Sequence, residues 1–297
     1  MSSPGRGAPP PPVVVIGAGA AGIMAAIFAA TGPRRVVLLE RTRDGGRKIL
    51  MSGGGRCNVL PSRLDPSRFV TASSPNTLKN ILLSWPLLEQ RRFFEEELQT
   101  PLALEPETGK LFPVSNKARD VRDGLLAKAA RGGVELRFDA YVVGLEPSPA
   151  RDEWMVQLLG GETIRASRVI IATGGLSVPA TGSDGTGLDL VRRLGHTIHE
   201  TYPALTPLAA IPHRHAPLSG VSLVVTLEAP LDKRKFVSPG GFLFTHKGYS
   251  GPAVLNVSHL AVLSRLRAGP RQEIFVRWTE FHADAWDRLL REGEGTV

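Results

Sequence analysis

The chain has 297 residues with 42% hydrophobic content, enough to bury a sizeable core and to divide into about two domains. Lysine and arginine total 36 against 28 acidic residues, and the resulting +8 is spread along the chain rather than gathered in a run, which suits an anionic, phosphate-bearing ligand. The same charge permits loose attraction to nucleic acid, but no recognition motif accompanies it, and the single cysteine, Cys57, excludes an intrachain disulfide and fits a reducing, cytoplasmic setting.

Pro9 to Pro12 read as a short stiff leader. The run VVVIGAGAAGIMAAIFAA that follows, residues 13–30, is uncharged and about as long as a bilayer span. Its glycines fall where a strand turns into a helix, so neither a membrane anchor nor an export signal is expected. Val13–Ile16 suits a buried strand, the alanine-rich stretch to Ala30 a helix, and Val36–Leu39 a second strand ending in Glu40. Between them stands G-A-G-A-A-G. Gly17 permits the tight turn, Gly19 lets a pyrophosphate approach the backbone, and Gly22 lets the helix pack on the sheet. Glu40 lies 18 residues after Gly22, where a carboxylate accepts hydrogen bonds from ribose hydroxyls and repels a 2′-phosphate. FAD and NAD both satisfy this pattern.

The chain continues with RTRDGGRKILMSGGGRCN rather than with further alternating strands and helices. Three consecutive glycines between Arg47, Lys48 and Arg56 offer backbone N–H donors and cations together, which is the chemistry needed around a pyrophosphate and the polar edge of a flavin. Residues 76–131 read as a helical insertion: Leu87, Phe94 and Leu98 recur at helical spacing, Ser115 or Asn116 can cap a second helix, and Val121, Leu125 and Ala129 repeat every four residues. Val134, Leu136 and Phe138 alternate as a half-buried strand does, and WMVQLL and ETIRAS flank Gly160–Gly161 as a hairpin. Arg168–Ala172 is expected as a buried strand that returns to the main sheet and delivers ATGG beside the nucleotide. No strand precedes GSDGTG, residues 182–187, so it is not read as a nicotinamide loop, and any NAD(P)H must dock transiently.

Prolines 203, 207, 212 and 217 then break the chain, and VSLVVTLEA and GGFLFTH read as strands of a second domain. Pro252 suits the first turn of a helix. His246 and Tyr249 are the polar groups to consider as proton donors. His213 and His215 share a ligand-like spacing without acidic or cysteine partners, so no metal is expected.

RKILMSGGGRCN, GKLFPVSNKARDV (109–121), ATGGLSVPATGSDGTG (172–187), PALTPL (203–208) and FLFTHKGYSGPAVLNVS (242–258) occur in this order, and together they resemble the HI0933-like flavoprotein family. The resemblance covers almost the whole chain after residue 12. It implies an α/β fold: a glutathione-reductase-type, Rossmann-like FAD-binding domain over 13–195, carrying the helical insertion, and a second β-rich domain over 196–297. It implies extended FAD, with the ADP part on Gly17, Gly19, Ala20, Ala21, Gly22, Glu40 and Arg41. Lys48 and the loop Ser52, Gly53, Gly54, Gly55, Arg56, Cys57 and Asn58 would follow the pyrophosphate and flavin. Val142 would meet adenine, and Thr173, Gly174 and Gly175 would close the first half of the fold. The family pattern continues past the equivalent of Val297 to a glycine-rich closing segment, so the chain reads as C-terminally truncated with its second domain incomplete.

The activity this implies is FAD-dependent oxidoreduction, with hydride passing between flavin N5 and a small carbonyl, enone or amine substrate. An RNA-modifying or RNA-binding flavoprotein and a catalytically silent partial flavoprotein are the alternatives. No catalytic residue is assigned.

Overall fold

The computed structural model describes residues 9–71, 73–149, 152–231, 234–267, 269–281 and 283–292. The chain forms two compact units, one running to His199 and one from Glu200.

The first unit begins with β1 (Val13–Ile16), α1 (Ala20–Ala29) and β2 (Val36–Leu39), followed by α2 (Arg47–Met51), β3 (Leu60–Pro61), α3 (Pro75–Leu83) and α4 (Leu87–Arg92). It continues through β4 (Leu102–Glu105), β5 (Lys110–Pro113), α5 (Ala118–Arg131), β6 (Val134–Arg137), β7 (Val142–Pro147), β8 (Trp154–Leu158), β9 (Thr163–Ala166), β10 (Arg168–Ile171) and α6 (Thr186–Arg193). The central sheet is parallel with order β10-β1-β2-β6, and Val13 stands opposite both Val36 and Arg168. Alternation along these strands makes two cores. Val15, Val36, Leu38 and Val134 pack with Ile23, Ala26 and the α5 residues Val121, Leu125 and Ala129. Val14, Ile16, Val37 and Leu39 face the antiparallel sheet β7-β8-β9, through Val142, Leu145, Val156 and Leu158. Each fully buried aliphatic side chain in these layers contributes about 2 kcal/mol.

The uncharged run of residues 13–30 is thus a strand, a turn and a helix of 10 residues. Among the described residues no helix is long and apolar enough to cross a membrane.

Two expectations need correction. The segment 76–131 is not wholly helical: after α3 and α4 the chain forms the hairpin β4–β5, which also pairs with β3. Pro101, Pro106 and Pro113 cannot continue a helix, and Gly109, with φ of 64°, makes the reversal. The helix α5 is the crossover that returns the chain to β6 beside β2, with Lys117 at its N-terminus and neither Ser115 nor Asn116 as the cap. Secondly, β10 alternates exposed and half-buried positions because it is the edge of the parallel sheet. The Gly160–Gly161 hairpin joins β8 to β9 as expected, with both glycines at positive φ.

The second unit holds β11 (Leu208–Ala209), β12 (Ser222–Leu231), β13 (Arg234–Thr245), β14 (Gly248–Ser250), α7 (Pro252–Leu266), β15 (Phe275–Arg277) and α8 (Ala283–Glu292). Its antiparallel sheet has the order β11-β14-β13-β12-β15. Val225, Leu227, Ala229, Phe242 and Phe244 pack against Ala253, Val254 and Val257 of α7, and Pro252 occupies the first turn of that helix.

Candidate functional site

A cavity of about 310 Å3 opens at the C-terminal ends of β1, β2 and β10, where ligands of open α/β sheets bind. Its floor is the turn after β1. Gly17 sits at φ of 101°, and a Cβ there would come within 2.7 Å of the Ala172 carbonyl oxygen at the end of β10. A Cβ on Gly22 would overlap the Gly17 carbonyl oxygen. Gly19 has nothing within 4 Å of a would-be Cβ, so the N-terminus of α1 is open on that side. That helix has no side-chain cap and no acidic residue in its first turn, which leaves its N–H groups for an anion.

The charges around the cavity are largely paired. Glu40 is 9% exposed; its Oε2 accepts the Ala18 N–H at 2.7 Å, and its Oε1 accepts the Thr42 N–H and hydroxyl, both at 2.8 Å. The carboxylate therefore ties the glycine turn to the end of β2. Arg41 donates to Asp184 at 2.5 Å, and Arg47 donates to Asp44 at 2.8 Å. These pairs hold both aspartate carboxyls below the usual range, Asp184 at about 2, and the arginine hydrogen bond is the largest cause in each case. Lys48 also lines the cavity, and among the described residues no carboxylate lies within ion-pair distance of it. It is the cation left to meet a phosphate.

Apolar lining comes from Ile16, Leu39, Ala140, Val142 and Leu190, with the Tyr141 ring beside them. Thus Gly17, Gly19, Ala20, Ala21, Glu40, Arg41, Lys48, Val142, Thr173 and Gly174 all line this cavity. Gly22 supports the turn from behind, and Gly175 is not among the lining residues.

The loop Ser52–Asn58 is not among them either. Gly53, Gly54, Gly55 and Arg56 are exposed. Arg56 lies 4.2 Å over the Phe112 ring and donates to Glu105 at 2.8 Å, so local partners engage its charge. Cys57 is buried at φ of 65°, and burial pushes its thiol up.

The loop rejected as a nicotinamide site proves to be part of this wall. Thr181, Gly182, Ser183, Asp184 and Thr186 all line the cavity, in contact with expected residues. Ser183 Oγ donates to the Thr173 carbonyl at 3.3 Å, and Asp184 reaches Arg41, so the loop is pinned to the ends of both β10 and β2. The available signal was its position directly after ATGG; the absence of a preceding strand concealed it.

In the second unit, the Tyr249 hydroxyl lies 2.7 Å from His215 Nδ1, and His213 Nε2 lies 2.7 Å from the Thr245 carbonyl. His246 is exposed in the turn between β13 and β14. Among the described residues no group of three metal-ligating side chains occurs.

A parallel sheet backed by crossover helices, faced by a small antiparallel sheet and closed by a glycine turn at a helix N-terminus, defines a dinucleotide-binding α/β flavoprotein. Residues 11–269 match the HI0933-like protein Rossmann domain, and the chain belongs to that family. Its cofactor is FAD, and the residues present fit its ADP part: an uncapped helix N-terminus, a turn stripped of Cβ atoms, an apolar slot and Lys48, which has no ion-pair partner among the described residues.

The ribosomal RNA dihydrouridine synthase of Escherichia coli K12 is 34% identical over 241 residues, covering 77% of this chain and 56% of that protein. The 3-dehydro-bile acid delta(4,6)-reductase of Clostridium scindens is 33% identical over 232 residues, covering 77% and 55%. The chain therefore spans about half the length of the curated relatives it matches. Among solved structures, the 3-ketosteroid-delta4-(5alpha)-dehydrogenase of Rhodococcus jostii RHA1 aligns at a TM-score of 0.47 with 17% identity, over 62% of this chain and 54% of that one.

Proposed function

We propose that this chain carries the FAD-binding part of an oxidoreductase that acts on a carbon–carbon double bond conjugated to a carbonyl. Bound flavin supplies two-electron chemistry as a hydride acceptor or donor. The chain's own residues position it. The N–H groups opening α1 and the Lys48 ammonium receive the phosphates, while Glu40 keeps the glycine turn in place. Val142 and Leu190 offer the adenine an apolar slot, and the pinned loop 181–186 covers it from water. The Ser52–Asn58 loop, exposed at Gly53–Arg56, is proposed to meet the remainder of the cofactor, with N–H donors of Gly53–Gly55 available to it.

The observation that carries this reading is the cavity itself, lined at the ends of three parallel strands by an uncapped helix N-terminus and by Lys48, which has no ion-pair partner among the described residues. The bond class comes from the relatives, whose names denote a dihydrouridine synthase and a delta(4,6)-reductase. The test is a visible spectrum of the purified chain, with and without added FAD, followed by turnover with NADH, NADPH or oxygen on enone substrates. Flavin bands in the bound fraction are expected; their absence at saturating FAD rejects the reading.

A second reading, with RNA as the substrate, is favoured by the net charge of +8 and by the name of the 34% identical relative. It predicts binding to ribosomal RNA that weakens steeply with salt. Binding that is absent at low salt removes it.

A further inference from the structure

Arg41 directly follows Glu40 at the end of β2. In dinucleotide folds a carboxylate at that point reads the ribose 2′-hydroxyl, and an arginine close by accommodates a 2′-phosphate instead. Here both residue types stand side by side on the cavity wall. The arginine, however, is already engaged. Its Nη1 donates to Asp184 Oδ2 at 2.5 Å across 143 residues of chain, and its Cζ lies 4.9 Å from the centroid of the Tyr141 ring.

Asp184 is fixed from the opposite side. Its Oδ1 accepts the Thr186 N–H at 3.2 Å and the Thr186 hydroxyl at 2.8 Å, and that hydroxyl lies 3.2 Å from the Tyr141 hydroxyl. Arg41, Tyr141, Asp184 and Thr186 thus form a closed ring of contacts, and all four line the cavity. The Asp184 carboxyl, held at about 2 chiefly by the Arg41 hydrogen bond, is ionised at neutral pH.

We propose that Asp184 is a specificity residue: it sequesters and neutralises Arg41, the side chain beside Glu40 that would receive a 2′-phosphate, and so leaves the Glu40 carboxylate to repel that phosphate. The cavity then takes an ADP moiety and rejects its 2′-phosphorylated counterpart, so FAD is retained against competition from NADP(H). The inference rests on the reading of this cavity as an ADP site and adds to it the device that selects among ADP-containing ligands. Arg41 is kept beside the ribose position as a neutral pair, through its stacking on Tyr141, and contributes shape without contributing net charge.

Calorimetric titration of the full chain, stripped of any flavin, with 5′-ADP and with 2′,5′-ADP tests this. The wild-type chain should favour 5′-ADP by about tenfold or more. Asp184→Asn retains an oxygen for Thr186 and removes the charge, so the freed Arg41 should narrow that preference about tenfold or reverse it. The double variant Asp184→Asn/Arg41→Ala should restore the discrimination. Arg41→Ala alone leaves the Thr186 contacts of the loop in place and unmasks the Asp184 charge, so under the proposal it should widen the preference for 5′-ADP. A wild-type chain that binds the two nucleotides equally overturns the proposal, as does an Asp184→Asn ratio within about twofold of wild type. A gain in 2′,5′-ADP affinity on Arg41→Ala alone does the same. Failure of the wild-type chain to bind either nucleotide removes the ADP reading of the cavity, and this inference with it.

Discussion

The two glycine-rich stretches of the first unit answer different physical demands. At the turn after β1, neighbouring backbone makes glycine necessary: a Cβ on Gly22 would overlap the Gly17 carbonyl, and one on Gly17 would press on Ala172. In the loop after α2, dihedral angles make it necessary: Gly53, Gly54 and Gly55 have φ of 56°, 67° and 88°, yet around Gly54 there is open space. The first stretch is a packing joint at the cavity floor. The second is a surface curl whose one basic side chain, Arg56, is occupied by Phe112 and Glu105. Gly17 and Gly22 thus serve close approach, Gly53 serves both, with Phe112 at 2.8 Å from a would-be Cβ, and Gly54 serves backbone curvature alone.

The largest effect that would separate the two regions is expected at Gly22. Gly22→Ala should destabilise the chain by about 3 kcal/mol, as overpacking against rigid backbone does, and should abolish FAD binding. Chemical denaturation and flavin titration measure both. Retained binding would show that the turn can yield and would erase the contrast. Lys48→Ala comes next: affinity for ADP should fall about tenfold, about 1.4 kcal/mol, with adenosine affinity unchanged. Equal losses for ADP and adenosine would mean that Lys48 supports the fold and does not read phosphate.

Gly54→Ala should cost about 1 kcal/mol, the penalty of a left-handed backbone, and leave ADP affinity untouched. A drop in ADP affinity would bring the outer loop into the same site as the turn. The smallest effect concerns acid. Asp184 titrates at about 2 in the folded chain against an ordinary 3.8, so its contribution is fully present above the ordinary value and is lost as pH falls through about 2. With a third of both side chains exposed, that contribution is about 1 kcal/mol after screening. Acid unfolding of wild type against Asp184→Asn measures the difference, which should vanish below the folded value.

Much of this was readable before any coordinates. Val13–Ile16, the glycine turn, the alanine-rich helix and Val36–Leu39 announce their geometry because strand, turn and helix each have a local chemical signature. Lys48 stands out as a cation beside the triple glycine, and Thr173 and Gly174 come from the resemblance, since nothing local shows that they face the same space as Gly19. The hairpin β4–β5 was missed because four-residue strands between prolines carry too little periodicity to distinguish them from helix ends. The role of residues 181–186 was missed because it depends on a contact 143 residues away, Asp184 to Arg41, which no window of sequence contains. Glu40 is legible in the sequence as an acid at the end of a strand, but its three protein donors are not: they depend on where Ala18 and Thr42 come to rest after folding.

That Glu40 tether has a kinetic consequence. Because one buried carboxylate staples the first crossover to its neighbouring strand, the receptacle holds its shape before any guest arrives, and capture involves little chain ordering. Association should therefore be limited by diffusion and orientation, with differences among guests expressed in how slowly they leave.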